Sequence, residues 1–258
     1  MEITDLRTAF TAKKASGVGL CALTAYDFTL ARLLDPCGLD FLLVGDSLGM
    51  IQLGMPDTVG VTMDHMVHHT RAAAAGTRET PLISDLPHGS VPDPETAIAN
   101  AGRLIEAGAC AVKIEGGRDV LPQARALSRA GIPFVGHLGM LPQRVRLEGG
   151  YKIKGRDPAS AQDLLEDARA LEEAGAAAIV LELVAHETAG RLCQSLAIPG
   201  IGIGSGRGCD GQILVTHDLV GLFPWFRPRF VKPEADLATL FSEAVNRFKQ
   251  SSQTRQLP

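Results

Sequence analysis

Three acidic residues stand at the ends of apolar runs that have the length of buried strands: Asp46, Asp85 and Glu115. If these runs are neighbouring parallel strands, their carboxyl ends meet at one edge and the three carboxylates converge on a small volume. Like charges so placed need a cation, and all-oxygen ligation suits Mg²⁺, which takes about one or two protein carboxylates directly. The sequence therefore predicts a Mg²⁺ site in which one acid binds through water.

The alternative for each acid is to cap the helix that follows its strand, a common use of aspartate in strand-to-helix loops. One acid in this position favours the cap. Three acids on consecutive strands, each behind an apolar run, favour a shared site.

Two further charged residues extend this candidate site. Lys113 stands two residues before Glu115, so strand alternation directs both side chains into the same interior. A buried ammonium needs an anion, either the acid cluster or a substrate carboxylate, with a simple internal salt bridge as the remaining alternative.

Glu182 interrupts the apolar run at residues 179–184 and reaches the same edge from another strand. It suits a general acid or base, and a helix cap or a pair with Lys113 is the alternative.

Two other motifs fit structural roles better than chemical ones. His65, His68 and His69 have the spacing of metal ligands on a helix, but that helix is expected outside the sheet, so we interpret them as surface or core histidines. The glycine pattern at residues 206–211 resembles a dinucleotide-binding loop, yet an apolar strand follows it instead of a helix. We expect this loop at most to offer backbone donors to an anion.

A parallel sheet must position these residues, and the chain supplies one. Strand-like runs alternate with longer helical patterns, which is typical of repeated strand–helix units. Eight strands favour a closed (β/α)8 TIM barrel over an open sheet, with the chemistry at the carboxyl ends of the strands. The runs cover residues 18–27, 41–46, 81–86, 110–115, 133–138, 177–183, 199–204 and 213–217. Helices are predicted over residues 62–75, 94–107, 160–174, 186–196 and 237–249, and another over 3–14 closes the barrel bottom.

The composition fits one barrel domain over residues 1–250, followed by a polar tail over 251–258. The 258 residues are 45% hydrophobic, and a net charge of −4 without a basic block argues against nucleic acid and acidic membranes as partners. No apolar run approaches the ~18 residues of a membrane span, and no signal core is visible at the start. Five cysteines without a CxxC pair indicate reduced thiols in a cytoplasmic protein.

Eight strings match one family in order and spacing, between about residues 23 and 232. They are Leu-Thr-Ala-Tyr-Asp at 23–27, Val-Gly-Asp-Ser-Leu-Gly-Met at 44–50, Ser-Asp-Leu-Pro at 84–87, Val-Lys-Ile-Glu-Gly-Gly at 112–117, Gly-His-Leu-Gly at 136–139, Gly-Gly-Tyr-Lys at 149–152, Leu-Glu at 181–182 and Ile-Gly-Ile-Gly at 201–204. Together they resemble the ketopantoate hydroxymethyltransferase (3-methyl-2-oxobutanoate hydroxymethyltransferase) family. The chain departs from the family pattern at residues 60–62 and 88–89, neither of which touches the matched acids.

The resemblance implies a (β/α)8 barrel in a large homo-oligomer, a decamer in the family. It also implies transfer of a hydroxymethyl group from 5,10-methylenetetrahydrofolate to 3-methyl-2-oxobutanoate, giving 2-dehydropantoate in pantothenate synthesis. By the same resemblance, Mg²⁺ is bound by Asp46, Asp85 and Glu115. The oxoacid is contacted by Asp46, Ser47, Asp85 and Lys113, and the proton acceptor is Glu182.

The role of His137, which ends the fifth strand, stays open between polarising the keto oxygen and supporting a ligand. Two other functions are considered. A phosphoenolpyruvate-mutase/isocitrate-lyase-like enzyme shares the barrel, Mg²⁺ and oxoacid enolate chemistry, but its lyases commonly carry a Lys-Cys-Gly-His-like loop that this sequence lacks. A barrel that only binds an oxoacid is the non-enzymatic alternative, and the complete set of acids, lysine and separate base argues against it.

Overall fold

Eight parallel strands close into a barrel in chain order in the computed structural model, which describes residues 6–254. The strands are β1 (Leu20–Thr24), β2 (Phe41–Val44), β3 (Leu82–Asp85), β4 (Ala111–Glu115), β5 (Phe134–Gly139), β6 (Ile179–Glu182), β7 (Gly200–Ile203) and β8 (Gly211–Leu214). The register pairs Asp85 with Lys113 and Glu115 with His137, which sets the polar residues of neighbouring strands side by side. The TIM barrel expected from the sequence is confirmed.

Helices precede the first strand and follow most of the others along the chain. They are α1 (Leu6–Ala15), α2 (Phe28–Leu34), α3 (Leu48–Ile51), α4 (Met63–Gly76), α5 (Pro94–Glu106), α6 (Leu121–Arg129), α7 (Val145–Glu148), α8 (Pro158–Glu173), α9 (His186–Ser195), α10 (Thr216–Leu219) and α11 (Leu237–Gln253). Several start at a side-chain cap, as Asp93 does for α5 and Asp157 for α8. None of the helices in residues 6–254 is long and apolar enough to cross a membrane.

The barrel interior changes from apolar to polar along each strand. Its lower part is an apolar cluster that includes Ile83, Ala111, Val135 and Val180. Because side chains two residues apart share a face, the next interior positions are polar. These positions are Asp85, Lys113, His137 and Glu182. Strand alternation thus places the chemistry directly above a packed apolar floor.

Helix α1 closes the bottom of the barrel, as expected. Leu6 and Phe10 are buried in the interior cluster, and the Phe10 ring lies 5.7 Å from that of Phe41. Lys14 fixes the end of the helix, because its Nζ donates to the carbonyl oxygens of Cys193, Leu196 and Ile198 at 2.6–2.9 Å. Residues 3–5 of the predicted helix lie outside the described residues.

The helix predictions agree with the structure to within about two residues at most ends, but several boundaries were wrong. The first strand is limited to Leu20–Thr24, so Asp27 is free to cap α2 through Leu30 N. The eighth strand ends at Leu214, and the predicted strand residues 216–217 lie in α10. The last helix continues to Gln253, so residues 251–253 of the predicted tail are helical, and residues 255–258 lie outside the described residues.

The chain divides into two compact units, residues 1–213 and 214–258. The first holds nearly all of the barrel and α1 to α9. In the second, backbone hydrogen bonds join the segment after α10 to the start of α11, such as Leu237 N to Val220 O at 3.0 Å. The apolar residues of α11 are exposed. A single domain over residues 1–250 stays a prediction.

Candidate active site

The polar residues at the carboxyl ends of β2 to β5 are buried. Asp46, Asp85, Lys113, Glu115 and His137 are each at most 7% exposed, which for charged side chains requires mutual pairing or a ligand. The structure therefore brings together the predicted acids and the predicted lysine.

None of the predicted site acids caps a helix. The residues at the N-cap positions of α3, α5, α6 and α9 are Ser47, Asp93, Val120 and Ala185. The capping alternative considered from the sequence is therefore wrong, and the carboxylates are available to each other and to a ligand.

Asp46 and Asp85 are two neighbouring buried acids of the site. The backbone N–H of Asp46 donates to Oδ2 of Asp85 at 3.0 Å, which holds the two residues together. Burial raises the pKa of Asp46 well above its usual range, and the nearby carboxylates of Asp85 and Glu115 raise it further. Burial also raises the pKa of Asp85, although the Lys113 ammonium opposes the shift. Both carboxylates are thus placed where the ionised form requires additional positive charge.

Lys113 supplies part of that charge. Its Nζ lies 3.2 Å from Oδ1 of Asp85 and 3.2 Å from Nδ1 of His137. Burial lowers the pKa of Lys113, but the carboxylates of Asp85, Glu115 and Asp46 outweigh burial and raise it overall. The acid cluster is therefore an anionic partner of Lys113, one of the alternatives left open by the sequence.

His137 connects Glu115 with Glu182. Its Nδ1 lies 3.2 Å from Oε1 of Glu115, and its Nε2 lies 3.3 Å from Oε2 of Glu182. Burial and the Lys113 charge lower the pKa of His137, yet the two carboxylates outweigh them and raise it to about 9. Burial opposes ionisation of Glu115, but the His137 charge and hydrogen bond lower its pKa overall. Both ring nitrogens face carboxylates, which favours a supporting role for this histidine.

The backbone turns sharply just after Glu182. Leu183 has φ of 47°, the left-handed region that a leucine rarely adopts. Ser205 holds this turn, because its hydroxyl donates to Leu181 O at 2.7 Å and accepts from Val184 N at 2.9 Å. Gly139 lies against the same turn, where a Cβ would come within 2.2 Å of Glu182 O. The side chain of Glu182, which is 14% exposed, ends β6 in a tightly fixed segment.

Gln143 is a site residue that the sequence analysis missed. Its Nε2 donates to Oδ2 of Asp46 at 2.9 Å and to Leu86 O at 3.0 Å, and its backbone N–H donates to Oε2 of Glu115 at 3.2 Å. It lies in the 3-10 turn Pro142–Arg144, which follows β5. The only sequence signal was a polar residue shortly after a strand end.

Ser47 is placed beside the acids by Tyr26. The two hydroxyl oxygens are 2.8 Å apart, and Tyr26 is fully buried. Gly45 makes room for Ser47, because a Cβ at residue 45 would lie 2.8 Å from its Oγ. The Ser47 hydroxyl is thus held at the site and is not used as a helix cap.

The donor set fits a hard cation bound by only part of the cluster. Within residues 6–254, no group of three or more Asp, Glu, His or Cys side chains is arranged so that it could hold a metal ion. However, Oδ1 of Asp85 is fully enclosed and accepts no hydrogen bond, although Lys113 pairs with its charge. Both oxygens of Glu115 are already hydrogen-bonded, one to His137 and one to Gln143. Glu115 is therefore better suited to reach a metal through a water molecule than to bind it directly. This agrees with the few carboxylates that Mg²⁺ takes directly.

The weaker motifs are not part of this cluster. His65 forms a capping box with Thr62 at the start of α4, and His69 Nδ1 lies 2.7 Å from Tyr26 O. These histidines are structural, as expected. The loop at residues 206–211 leads into β8, as the sequence indicated, and anion binding by it stays a prediction.

The sequence matches one family along nearly the whole chain. A sequence model of the family described as ketopantoate hydroxymethyltransferase matches residues 6–258. The 3-methyl-2-oxobutanoate hydroxymethyltransferase of Syntrophus aciditrophicus (strain SB) is 48% identical over 237 residues, covering 91% of this chain and 87% of that protein. The protein of the same name from Clostridium novyi (strain NT) is 46% identical over 256 residues, covering 97% and 92%.

Solved structures of similar fold are more distant in sequence. A 2,3-dimethylmalate lyase of the PEP mutase/isocitrate lyase superfamily has a TM-score of 0.64 at 17% identity, covering 97% of this chain and 86% of that chain. A phosphonopyruvate hydrolase in complex with oxalate and Mg²⁺ has a TM-score of 0.63 at 15% identity, covering 99% and 92%. At these identities the likeness shows the fold alone.

Proposed function

The chain belongs to the ketopantoate hydroxymethyltransferase family and is an enzyme of that kind, and we propose that it forms 2-dehydropantoate from 3-methyl-2-oxobutanoate. The proposed one-carbon donor is 5,10-methylenetetrahydrofolate, and the proposed metal is Mg²⁺. One observation carries this proposal. A buried acid cluster paired with Lys113 is connected through His137 to a separate carboxylate, Glu182.

Asp46 and Asp85 would hold the metal directly, and Glu115 would reach it through water. The enclosed Oδ1 of Asp85 and the raised pKa of both aspartates support this assignment, because a divalent cation would relieve the excess negative charge. When bound, Mg²⁺ supplies a Lewis acid beside the keto oxygen of the substrate and lowers the cost of negative charge there.

The remaining groups bind and orient the oxoacid. Lys113 and Ser47 hold its carboxylate, and Lys113 also keeps the positive charge of the site close to Asp85. Glu182 removes the proton from C3, and the electron pair moves towards the keto oxygen to give the enolate. His137 keeps Glu182 beside the acid cluster and does not itself act on the keto oxygen.

The enolate carbon then attacks the methylene carbon of the donor. A carbon–carbon bond forms, the bonds from the methylene group to the donor nitrogens break, and one water supplies the hydroxyl group. The balanced reaction converts the oxoacid, methylenetetrahydrofolate and water into 2-dehydropantoate and tetrahydrofolate.

A homo-oligomer in the cytoplasm completes the proposal. Helix α11 exposes an apolar face that includes Phe241 and Phe248, 69% and 65% exposed, and such a face is usually covered by a partner. The decamer is taken from the family resemblance. The five free thiols support a reducing compartment.

A direct product assay tests this function against the lyase alternative. The protein is incubated with 3-methyl-2-oxobutanoate and methylenetetrahydrofolate, with Mg²⁺ or with EDTA, and separately with 2,3-dimethylmalate. We expect Mg²⁺-dependent 2-dehydropantoate and no cleavage of the malate. Cleavage without transfer would support the lyase that the fold neighbours suggest.

A further inference from the structure

Gln143 links two of the acids through both its side chain and its backbone. The amide Nε2 donates to Asp46 and to the carbonyl oxygen of Leu86, and the backbone N–H donates to Glu115. Each contact fixes one specified oxygen: Oδ2 of Asp46 and Oε2 of Glu115. Oδ1 of Asp46 is not used by Gln143, whereas Oε1 of Glu115 already lies 3.2 Å from Nδ1 of His137.

The Gln143 amide carries no charge, and this affects how strongly Asp46 can attract a cation. A lysine or arginine donor here would add positive charge next to Asp46 and compete with a divalent cation. The amide orients the carboxylate without neutralising it, and the attraction between Asp46 and a cation is retained. The Leu86 carbonyl uses the second hydrogen of the amide, which fixes the direction of the first.

Two ion pairs hold the chain directly after Gln143. Arg144 forms an ion pair with Asp119, and Arg146 forms a two-pronged pair with Asp57 at 2.7 and 3.0 Å. These contacts join the segment after β5 to the segments after β4 and β2. The position of Gln143 is therefore set by the loop and does not depend on the carboxylates alone.

We propose that Gln143 is a positioning residue that presets Asp46 and Glu115 for the divalent cation, so that metal affinity depends on its amide. This inference rests on the proposed Mg²⁺ site. It assigns a role to a side chain that would touch neither the metal nor the substrate.

The test is calorimetric titration of the full, substrate-free chain with MgCl2. Gln143→Met removes the donors and keeps most of the volume, and Gln143→Ala is a second variant. Gln162→Met is the matched control, because Gln162 also donates to a carboxylate, Glu166, but on the exposed surface of α8. Thermal unfolding in EDTA shows whether each variant is folded.

We expect the Mg²⁺ Kd of Gln143→Met to rise about 10- to 100-fold, while that of Gln162→Met is unchanged. The Mg²⁺ concentration for half-maximal activity should rise in parallel, with kcat at saturating Mg²⁺ largely retained. A merely structural role would lower the unfolding temperature or kcat without moving the Kd.

Two results overturn the inference in distinguishable ways. If wild type binds Mg²⁺ and the folded Gln143 variants bind it equally well, the role of Gln143 is wrong and the metal site stands. If wild type binds no Mg²⁺, the proposed metal site is wrong and the inference falls with it.

Discussion

Nε2 of His137 lies 3.3 Å from Oε2 of Glu182. The other nitrogen of the same ring lies 3.2 Å from Oε1 of Glu115, so one imidazole joins the proposed base to the acid cluster. The three residues come from β4, β5 and β6, which are adjacent strands. The position of the base relative to the acids is therefore set by the barrel itself.

Replacing this histidine should impair turnover. In His137→Leu, Glu115 and Glu182 lose their common partner, and we expect kcat to fall about 10- to 100-fold with a smaller change in KM for the oxoacid. Initial rates measure the effect, and His68→Gln on the exposed side of α4 is the control. An unchanged kcat in a folded His137→Leu would contradict the supporting role.

Mg²⁺ should stabilise the folded protein. The cation relieves repulsion among buried carboxylates, and a ligand that binds only the folded state adds about 2.7 kcal/mol at 100 times its Kd. We expect Mg²⁺ to raise the unfolding temperature of wild type, and to do so much less in Asp85→Asn. Differential scanning calorimetry measures both, with Asp163→Asn as a surface control. Equal shifts in all three proteins would argue against binding at Asp85.

A buried carboxylate away from the site should control acid stability. Asp35 accepts hydrogen bonds from the backbone N–H groups of Arg78, Glu79 and Thr80 at 2.9–3.1 Å. Burial opposes ionisation, but these bonds lower the pKa of Asp35 overall. Because the folded value is the lower one, the added stability is complete above the unfolded pKa of about 3.9 and is lost as pH falls through the folded value.

Asp35→Asn should therefore lower the free energy of unfolding at pH 7 by about 1–3 kcal/mol. The difference from wild type should shrink below about pH 4. Urea unfolding between pH 3 and 7 measures it, and Asp64→Asn, which changes an exposed ion pair with Arg103, should have little effect. A difference that does not vary with pH would contradict the assignment.

The exposed face of α11 should mediate assembly. Phe241→Glu and Phe248→Glu place a charge on that face, and we expect light scattering after size exclusion to show smaller species than wild type. Gln250→Glu adds a charge to α11 without altering the two phenylalanines. Identical masses for all four proteins would exclude this face as the contact.

Much of the barrel could be predicted because its signals are local. Apolar runs with acids at their ends fixed most strand positions, and alternation correctly placed Lys113 and Glu115 in one interior. Strand ends were harder to predict. The run at residues 213–217 continues the strand pattern, but the chain turns into α10 at Thr216. Local composition does not show where the hydrogen bonding between neighbouring strands ends.

The site was less predictable where long-range geometry decides it. Gln143 meets Asp46 across 97 positions of sequence, and nothing near Gln143 indicates that contact. For His137, the sequence left two roles open, because only the structure shows both ring nitrogens facing carboxylates. The turn at Leu183 could not be predicted from the sequence either, since leucine rarely adopts a positive φ.

Hydrogen exchange at C3 of 3-methyl-2-oxobutanoate tests the central claim most directly. The oxoacid is incubated in deuterated water with wild type, Glu182→Gln or Glu187→Gln, with and without Mg²⁺, and the C3 proton is followed by NMR. Glu187 is an exposed glutamate in the first turn of α9 and serves as the control. We predict Mg²⁺-dependent exchange by wild type and Glu187→Gln, and none by Glu182→Gln. Exchange by Glu182→Gln at the wild-type rate, or no exchange by wild type in the presence of Mg²⁺, would contradict the account.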